Sequence, residues 1–237
     1  MISRALISSS LSRIAISLVF RIAISLVLLL APLGVGAQRF LKLEKDTIPL
    51  FRGFSVSFDL AGFAQMQLGS YGQYEGALRL NIHDQYFPIV EVGLGRANHK
   101  KDEVTEISYK TSAPYFRIGA DVNIMNNKHT GNRVFVGLRY GFTSYKVDIS
   151  HPPFQDHIWG WDATYEMLDV SCHQHWGEVV FGLDGRVIGP VHLGWSGRYR
   201  VRISHNDGDI GKTWYVPGYG LQDTSVLGYT FYVAIDI

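Results

Sequence analysis

From Leu227 to Ile237 the chain alternates without a break. Leu227, Tyr229, Phe231, Val233, Ile235 and Ile237 are apolar, and Gly228, Thr230, Tyr232, Ala234 and Asp236 fall between them. Period two marks a strand with one greasy face and one small or polar face. Strands of soluble sheets run about five or six residues, whereas a bilayer-spanning strand needs roughly 9–11. A terminal strand of this length and pattern predicts a transmembrane β-barrel.

The same alternation recurs along residues 51–237. It predicts strands over Phe54–Ala61, Tyr74–His83, Ile89–Gly95, Tyr115–Ile124, Arg133–Thr143, Trp176–Val187 and Val191–Ile203. With the terminal strand these make eight, an even count suited to a closed bacterial barrel. The links alternate as well. His83–Phe87, Met125–Asn132 and Val187–Pro190 are short, and Arg96–Pro114, Ser144–His175 and Ser204–Thr224 are long, with Gly62–Gln73 intermediate. Short turns on one rim and long loops on the other are the outer-membrane pattern, with the short turns periplasmic.

The N-terminus points the same way. Arg4, Arg13 and Arg21 are the only charges before Arg39, an apolar run spans Ile22–Val35, and Val35-Gly36-Ala37 precedes Gln38. This reads as a secretory signal peptide cut after Ala37. The competing reading, a membrane anchor over Ile14–Leu33, would bury Arg21 in mid-span at high cost. The segment RIAISLV occurs at Arg13–Val19 and again at Arg21–Val27, a duplication within the leader. Removing the three leader arginines from 22 Lys+Arg, against 21 Asp+Glu, leaves a net charge of −2 and no footprint for nucleic acid. Cys172 is the only cysteine, so no intramolecular disulfide forms. Gly and aromatic residues are plentiful and charges few, as suits a barrel with aromatic girdles.

The polar face carries the candidate chemistry. Asp59, Glu75, Glu91, Asp121, Glu178, Asp184 and Asp236 share it with Arg79, Arg117, Arg133, Arg139, Arg186, Arg198, Arg200 and Arg202. An eight-stranded barrel is filled by its own side chains, so these charges are expected to pair across the lumen as a structural plug. The alternative, a carboxylate–arginine relay, needs a wider bore. Trp159, Trp161, Tyr165, Trp214, Tyr215 and Tyr219 crowd the two longest links with Phe154. They are either binding anchors or a lid resting on the mouth.

Two further constellations are weaker. His151, His157, Cys172, His173 and His175 lie together in sequence, but their spacing fits no standard zinc site, and no metal or cofactor is expected. A lipid-modifying enzyme would need a nucleophile, a base and an orienting carboxylate. Ser196 and His192 share a face without an evident third member, Ser144 lies near a lipid-facing position, and no enzyme is expected. Gly93-Leu94-Gly95 is strand glycine and not a phosphate loop, as no helix follows it.

Three blocks carry a resemblance: Tyr71-Gly72-Gln73-Tyr74-Glu75-Gly76-Ala77-Leu78-Arg79, Tyr86-Phe87-Pro88-Ile89-Val90-Glu91-Val92-Gly93, and Tyr215-Val216-Pro217-Gly218-Tyr219-Gly220. With the Ala37-Gln38 junction, they resemble an uncharacterised outer-membrane barrel family of Bacteroidota-type bacteria, classed as a domain of unknown function. The resemblance implies fold and location and assigns no chemistry.

The expected fold is therefore all-β, an eight-stranded antiparallel up-and-down transmembrane β-barrel with an N-terminal signal peptide. Residues 1–37 are the leader, 38–50 a short periplasmic lead-in and 51–237 the barrel. The expected role is an outer-membrane protein closed to solutes, structural or acting through its extracellular loops. Its partners are the outer-membrane bilayer and an extracellular or envelope protein. The alternatives are a barrel-embedded lipid enzyme and a soluble periplasmic lipocalin-like binder, which would hold its apolar face inside.

Overall fold

The computed structural model describes residues 49–100, 105–155 and 162–237. All belong to the second of two compact units, 49–237. The expected leader, and the lead-in up to residue 48, lie outside the described residues.

Eight long strands follow one another: β1 (Phe51–Asp59), β2 (Tyr71–Ile82), β3 (Tyr86–His99), β4 (Ser108–Asn123), β5 (Arg133–Gln155), β6 (Asp162–Ile188), β7 (Val191–Asn206) and, last, β10 (Ser225–Asp236). Each pairs antiparallel with its sequence neighbours, and β1 joins β10 to β2, so the sheet returns on itself. A small hairpin, β8 (Tyr215–Val216) with β9 (Gly220–Leu221), stands apart from that wall.

The expectation of an all-β, eight-stranded up-and-down barrel is corrected in two places. Helix α1 (Leu60–Leu68) follows β1 directly, begun by the Asp59 carboxylate, which accepts from the Ala61 and Gly62 amides at 3.0 and 3.1 Å. It replaces the end of the first expected strand and most of the expected Gly62–Gln73 link. Because β1 stops at Asp59, paired with Tyr232, the cylinder closes only up to that level. Above it, residues 71–75 of β2 and 225–231 of β10 have no strand between them.

The strand ends are corrected too. β4 begins at Ser108, β5 continues to Gln155 and β6 starts at Asp162, so much of the expected loops Arg96–Pro114 and Ser144–His175 is sheet. The reason is an inversion of faces along single strands. On the lower part of β5, Val136, Leu138, Tyr140 and Phe142 point out while Arg139 is buried inside. Higher on the same strand Tyr145, Val147 and Ile149 are buried inside, and Lys146 and Ser144 point out. β4 does the same, passing from exposed Ile118 and Phe116 to exposed Ser112 and Lys110. The upper interior is an apolar core built on Ala97, Tyr109, Tyr145, Val147, Cys172 and Trp176.

The short turns are built locally. At the β2–β3 turn, His83 and Asp84 adopt φ of +57° and +55°, a region Asp tolerates. The Asn81 side-chain Oδ1 accepts from the Asp84 backbone amide at 2.8 Å.

Candidate functional site: the lumen and its lid

Period two puts alternate side chains of all eight strands into one narrow space, and in the lower zone these are mostly charged. At mid-height Glu75, Glu91 and Glu178 meet Arg117, Arg139, Arg198 and Arg200, all buried. Arg117 pairs with Glu75, with Glu91 at 3.1 Å and with Glu178 at 2.9 Å. Arg198 reaches Glu91 at 2.6 Å, Glu75 at 3.2 Å and Glu178 at 3.4 Å. Arg139 joins Glu91 to Asp121, at 3.2 and 2.8 Å. One forked guanidinium can serve two or three carboxylates, which lysine cannot do with the same geometry. Two neutral donors complete the group: the Tyr115 hydroxyl donates to Glu75 at 2.6 Å, and the Trp176 indole N–H to Glu178 at 2.6 Å.

Nearer the short turns, Asp184 is the hub. Arg133 stands 2.9 Å from it and Arg79 3.4 Å, the Tyr232 hydroxyl donates to it at 3.0 Å, and His192 Nδ1 lies 2.8 Å away. The other His192 nitrogen faces Asp236 at 3.0 Å. Between the two clusters, a cavity of about 20 Å³ bordered by Ser57, Ser196 and Thr230 has room for about one water molecule.

The mouth is covered from within. The link between β7 and β10 folds inward as the β8–β9 hairpin, burying Tyr215, Val216 and Tyr219. Its anchors come from separate parts of the wall. Tyr109 donates to the Tyr215 carbonyl at 2.7 Å, Tyr215 donates to the Gly72 carbonyl at 3.0 Å, and Arg117 and Arg200 donate to the Gly218 and Tyr219 carbonyls at 2.6 and 2.8 Å. Gly218 has φ +79° and sits against the Tyr115 ring, so both conformation and space require glycine.

The structure places the residues singled out in the sequence as follows. Glu75, Arg79, Glu91, Arg117, Asp121, Arg139, Glu178, Asp184, Arg198 and Arg200 come together in the buried ion-pair network. Asp59 is buried but spends its carboxylate capping α1, and makes no ion pair among the described residues. Arg202 is half-buried one inward position above the carboxylates, opposite Trp176, and has no ion pair among the described residues. Trp159 and Trp161 lie outside the described residues, and Tyr165 is an exposed strand residue on β6. Tyr215 and Tyr219 are lid core, whereas Trp214 stays partly exposed against the Tyr71, His99 and Tyr109 rings.

Cys172 is buried inside while its neighbour His173 is exposed outside, so the wall divides them; His157 lies outside the described residues. His175 Nδ1 is 2.8 Å from the Tyr140 hydroxyl. Ser196 is buried next to Thr230 in the register, and His192, four residues below, has a carboxylate within 3.0 Å of each ring nitrogen. Tyr115, Trp176 and Tyr232 were overlooked as members of the network. Their inward parity was visible, but counting charges alone passes over neutral donors.

One family model matches residues 18–237, and it describes a domain of unknown function, DUF6048. The chain belongs to that family. No curated protein matches it. Among solved structures it is similar to a major outer membrane protein from Thermus thermophilus, at 15% identity and TM-score 0.40, covering 78% of this chain and 98% of that one. It is also similar to CarO2 of Acinetobacter baumannii, at 12% identity and TM-score 0.39 over 79% and 99% of the chains. A third is Ail, the attachment invasion locus protein of Yersinia pestis, at 12% identity and TM-score 0.36 over 78% and 93%. These come from other bacteria than the Bacteroidota-type group of the sequence resemblance.

Proposed function

We propose that this DUF6048 protein sits in the outer membrane, blocked to solutes along its axis, and holds a rigid β-extension above the surface as an interaction platform. The observation that carries the reading is the inversion of faces at one height on several strands. Below it, side chains such as Leu78, Val92, Ile118, Leu138, Val179 and Leu193 are exposed around the wall. So continuous an apolar exterior is costly in water and matched to hydrocarbon. Above it polarity returns to the soluble order, apolar in and polar out. β5 and β6, at 23 and 27 residues, exceed the roughly 9–11 needed to cross, and the surplus becomes the extension.

Axial closure is supported by the ion pairs that cross the lumen and by the lid buried in its mouth. The reading gives Ser196 and His192 no catalytic role, since His192 Nδ1 lies 2.8 Å from Asp184 and Nε2 faces Asp236 at 3.0 Å, turned to carboxylates and not to Ser196. An extracellular or envelope protein is the expected partner of the extension.

Cell fractionation with boiled and unboiled electrophoresis tests location. Recovery in the outer membrane with heat-dependent mobility is expected, and purely periplasmic recovery would overturn the reading. Reconstituted into planar bilayers, the protein should give no discrete conductance steps; stable open channels would refute axial closure.

A further inference from the structure

We infer that the unclosed seam between β2 and β10 is a lateral binding site for an anionic single-chain amphiphile entering from the outer leaflet. The inference rests on the outer-membrane reading above. The strands edging the seam, residues 71–75 and 225–231, have no strand partner across it, and no backbone hydrogen bond crosses it among the described residues. α1 lies in the seam and touches both edges, packing most closely on β2. There Gly72 lets the helix backbone at Met66 approach so closely that a Cβ would overlap it, and the Phe63 ring packs on Tyr74 at 5.7 Å. On the β10 side a cavity of about 300 Å³ remains between helix, lid and wall.

The seam lies within the apolar belt. Leu227 and Tyr229 on its edge are among the most exposed apolar side chains of the wall, and their register partners Tyr199 and Gly197 lie beside exposed Val201 and Trp195. Open backbone edges facing hydrocarbon are costly, so an occupant with a polar end is favoured there over bare lipid chains. The lining supplies both halves of such a molecule. Val226, Leu221 and Tyr229 offer an apolar flank, and Arg200 supplies a cation at the inner end. Gly228 clears the way, since a Cβ on it would stand 3.0 Å from the Arg200 guanidinium. Arg200 has one carboxylate partner, Glu178 at 3.3 Å, where Arg117 and Arg198 each have three. An acid head group is thus matched to Arg200, and its chain to the flank and the outer leaflet.

The test is native mass spectrometry of the full-length mature protein, released from neutral detergent after incubation with dodecanoate or with dodecyltrimethylammonium. One dodecanoate per chain is expected, with the cationic amphiphile not retained. Leu221→Trp fills the cavity from the lid without touching the strand pairing of the wall, and Arg200→Gln removes the cation; each should lower dodecanoate occupancy at least about tenfold. Heat-dependent mobility checks that each variant is folded, and Leu221→Trp decides alone if Arg200→Gln does not fold. The proposal is overturned if the folded protein retains no dodecanoate, retains both amphiphiles equally, pairs two chains at the seam in place of ligand, or keeps dodecanoate undiminished in Leu221→Trp. Failure of the membrane reading shows separately, in fractionation without added ligand.

Discussion

Arg198 and Glu91 stand 107 residues apart in the chain, yet Nη1 of one lies 2.6 Å from Oε2 of the other, on opposite sides of the lumen. Both are almost wholly buried, so neither charge has water as an alternative partner. Arg198→Ala should therefore lower stability by about 3–5 kcal/mol, because it strands carboxylates in the interior. Adding Glu91→Gln to that variant should restore part of the loss, as it removes one stranded charge. Lys146→Ala, which breaks an exposed pair with Asp169, should cost at most about 1 kcal/mol. Urea unfolding in detergent micelles measures all three; equal effects of Arg198→Ala and Lys146→Ala would contradict the buried network.

The β2–β3 turn adds a pH-dependent element outside the apolar belt. Burial alone would raise the Asp84 pKa, but the His129 and Asn81 hydrogen bonds and nearby Arg52 outweigh it and hold the carboxyl below its usual range. A depressed carboxylate pKa gives stability that is full above the unfolded value, about 3.9, and is lost as pH falls through the folded value. Asp84→Asn keeps a residue that tolerates positive φ. It should lower the unfolding midpoint at pH 7, with the difference from the unmodified protein narrowing steadily below about pH 4. A difference that widens in acid would refute the sign.

Cys172 reports on the upper core. Burial, with Asp207 nearby, pushes its thiol up to about 11. The thiolate is the reactive form, so folded protein at pH 8 should react with a maleimide or disulfide reagent far more slowly than urea-unfolded protein. Equal rates would mean that the interior of β6 above the belt is open to solvent.

The tip of the β5–β6 hairpin should be dispensable for folding. Replacing residues 152–166 with a two-residue turn leaves the ladder from Val147↔Val170 downward intact. Heat-dependent mobility should survive, while any partner captured by the unmodified protein should be lost. A variant that no longer folds would show the tip to be part of the cylinder's stability.

Much of the lower zone was legible because one rule governs it: charges and small residues inside, apolar residues outside. Glu91, Arg117 and Arg200 follow that parity, and so did their expected places. The rule reverses above the belt, where Tyr145, Val147 and Ile149 face in and Lys146 faces out. A reading fixed on one sign of alternation therefore takes sheet for loop, and Pro152-Pro153 reinforces the error. α1 was missed for a different reason. Leu60, Phe63 and Leu68 are all exposed, so no core-facing stripe marks the helix, and the Asp59 cap was its only local signal. Tyr215 and Tyr219 looked like surface anchors because composition records aromatic residues but not the direction in which a link folds.

The lid also bears on the order of assembly. Its anchors lie on β2, β4 and β7, and it belongs to the link leading into the last strand, β10. It can seat only when those walls already face one another, which requires a nearly finished cylinder. Seating of the lid thus comes as a late event in maturation, and a chain stalled before β10 docks would leave its mouth uncovered.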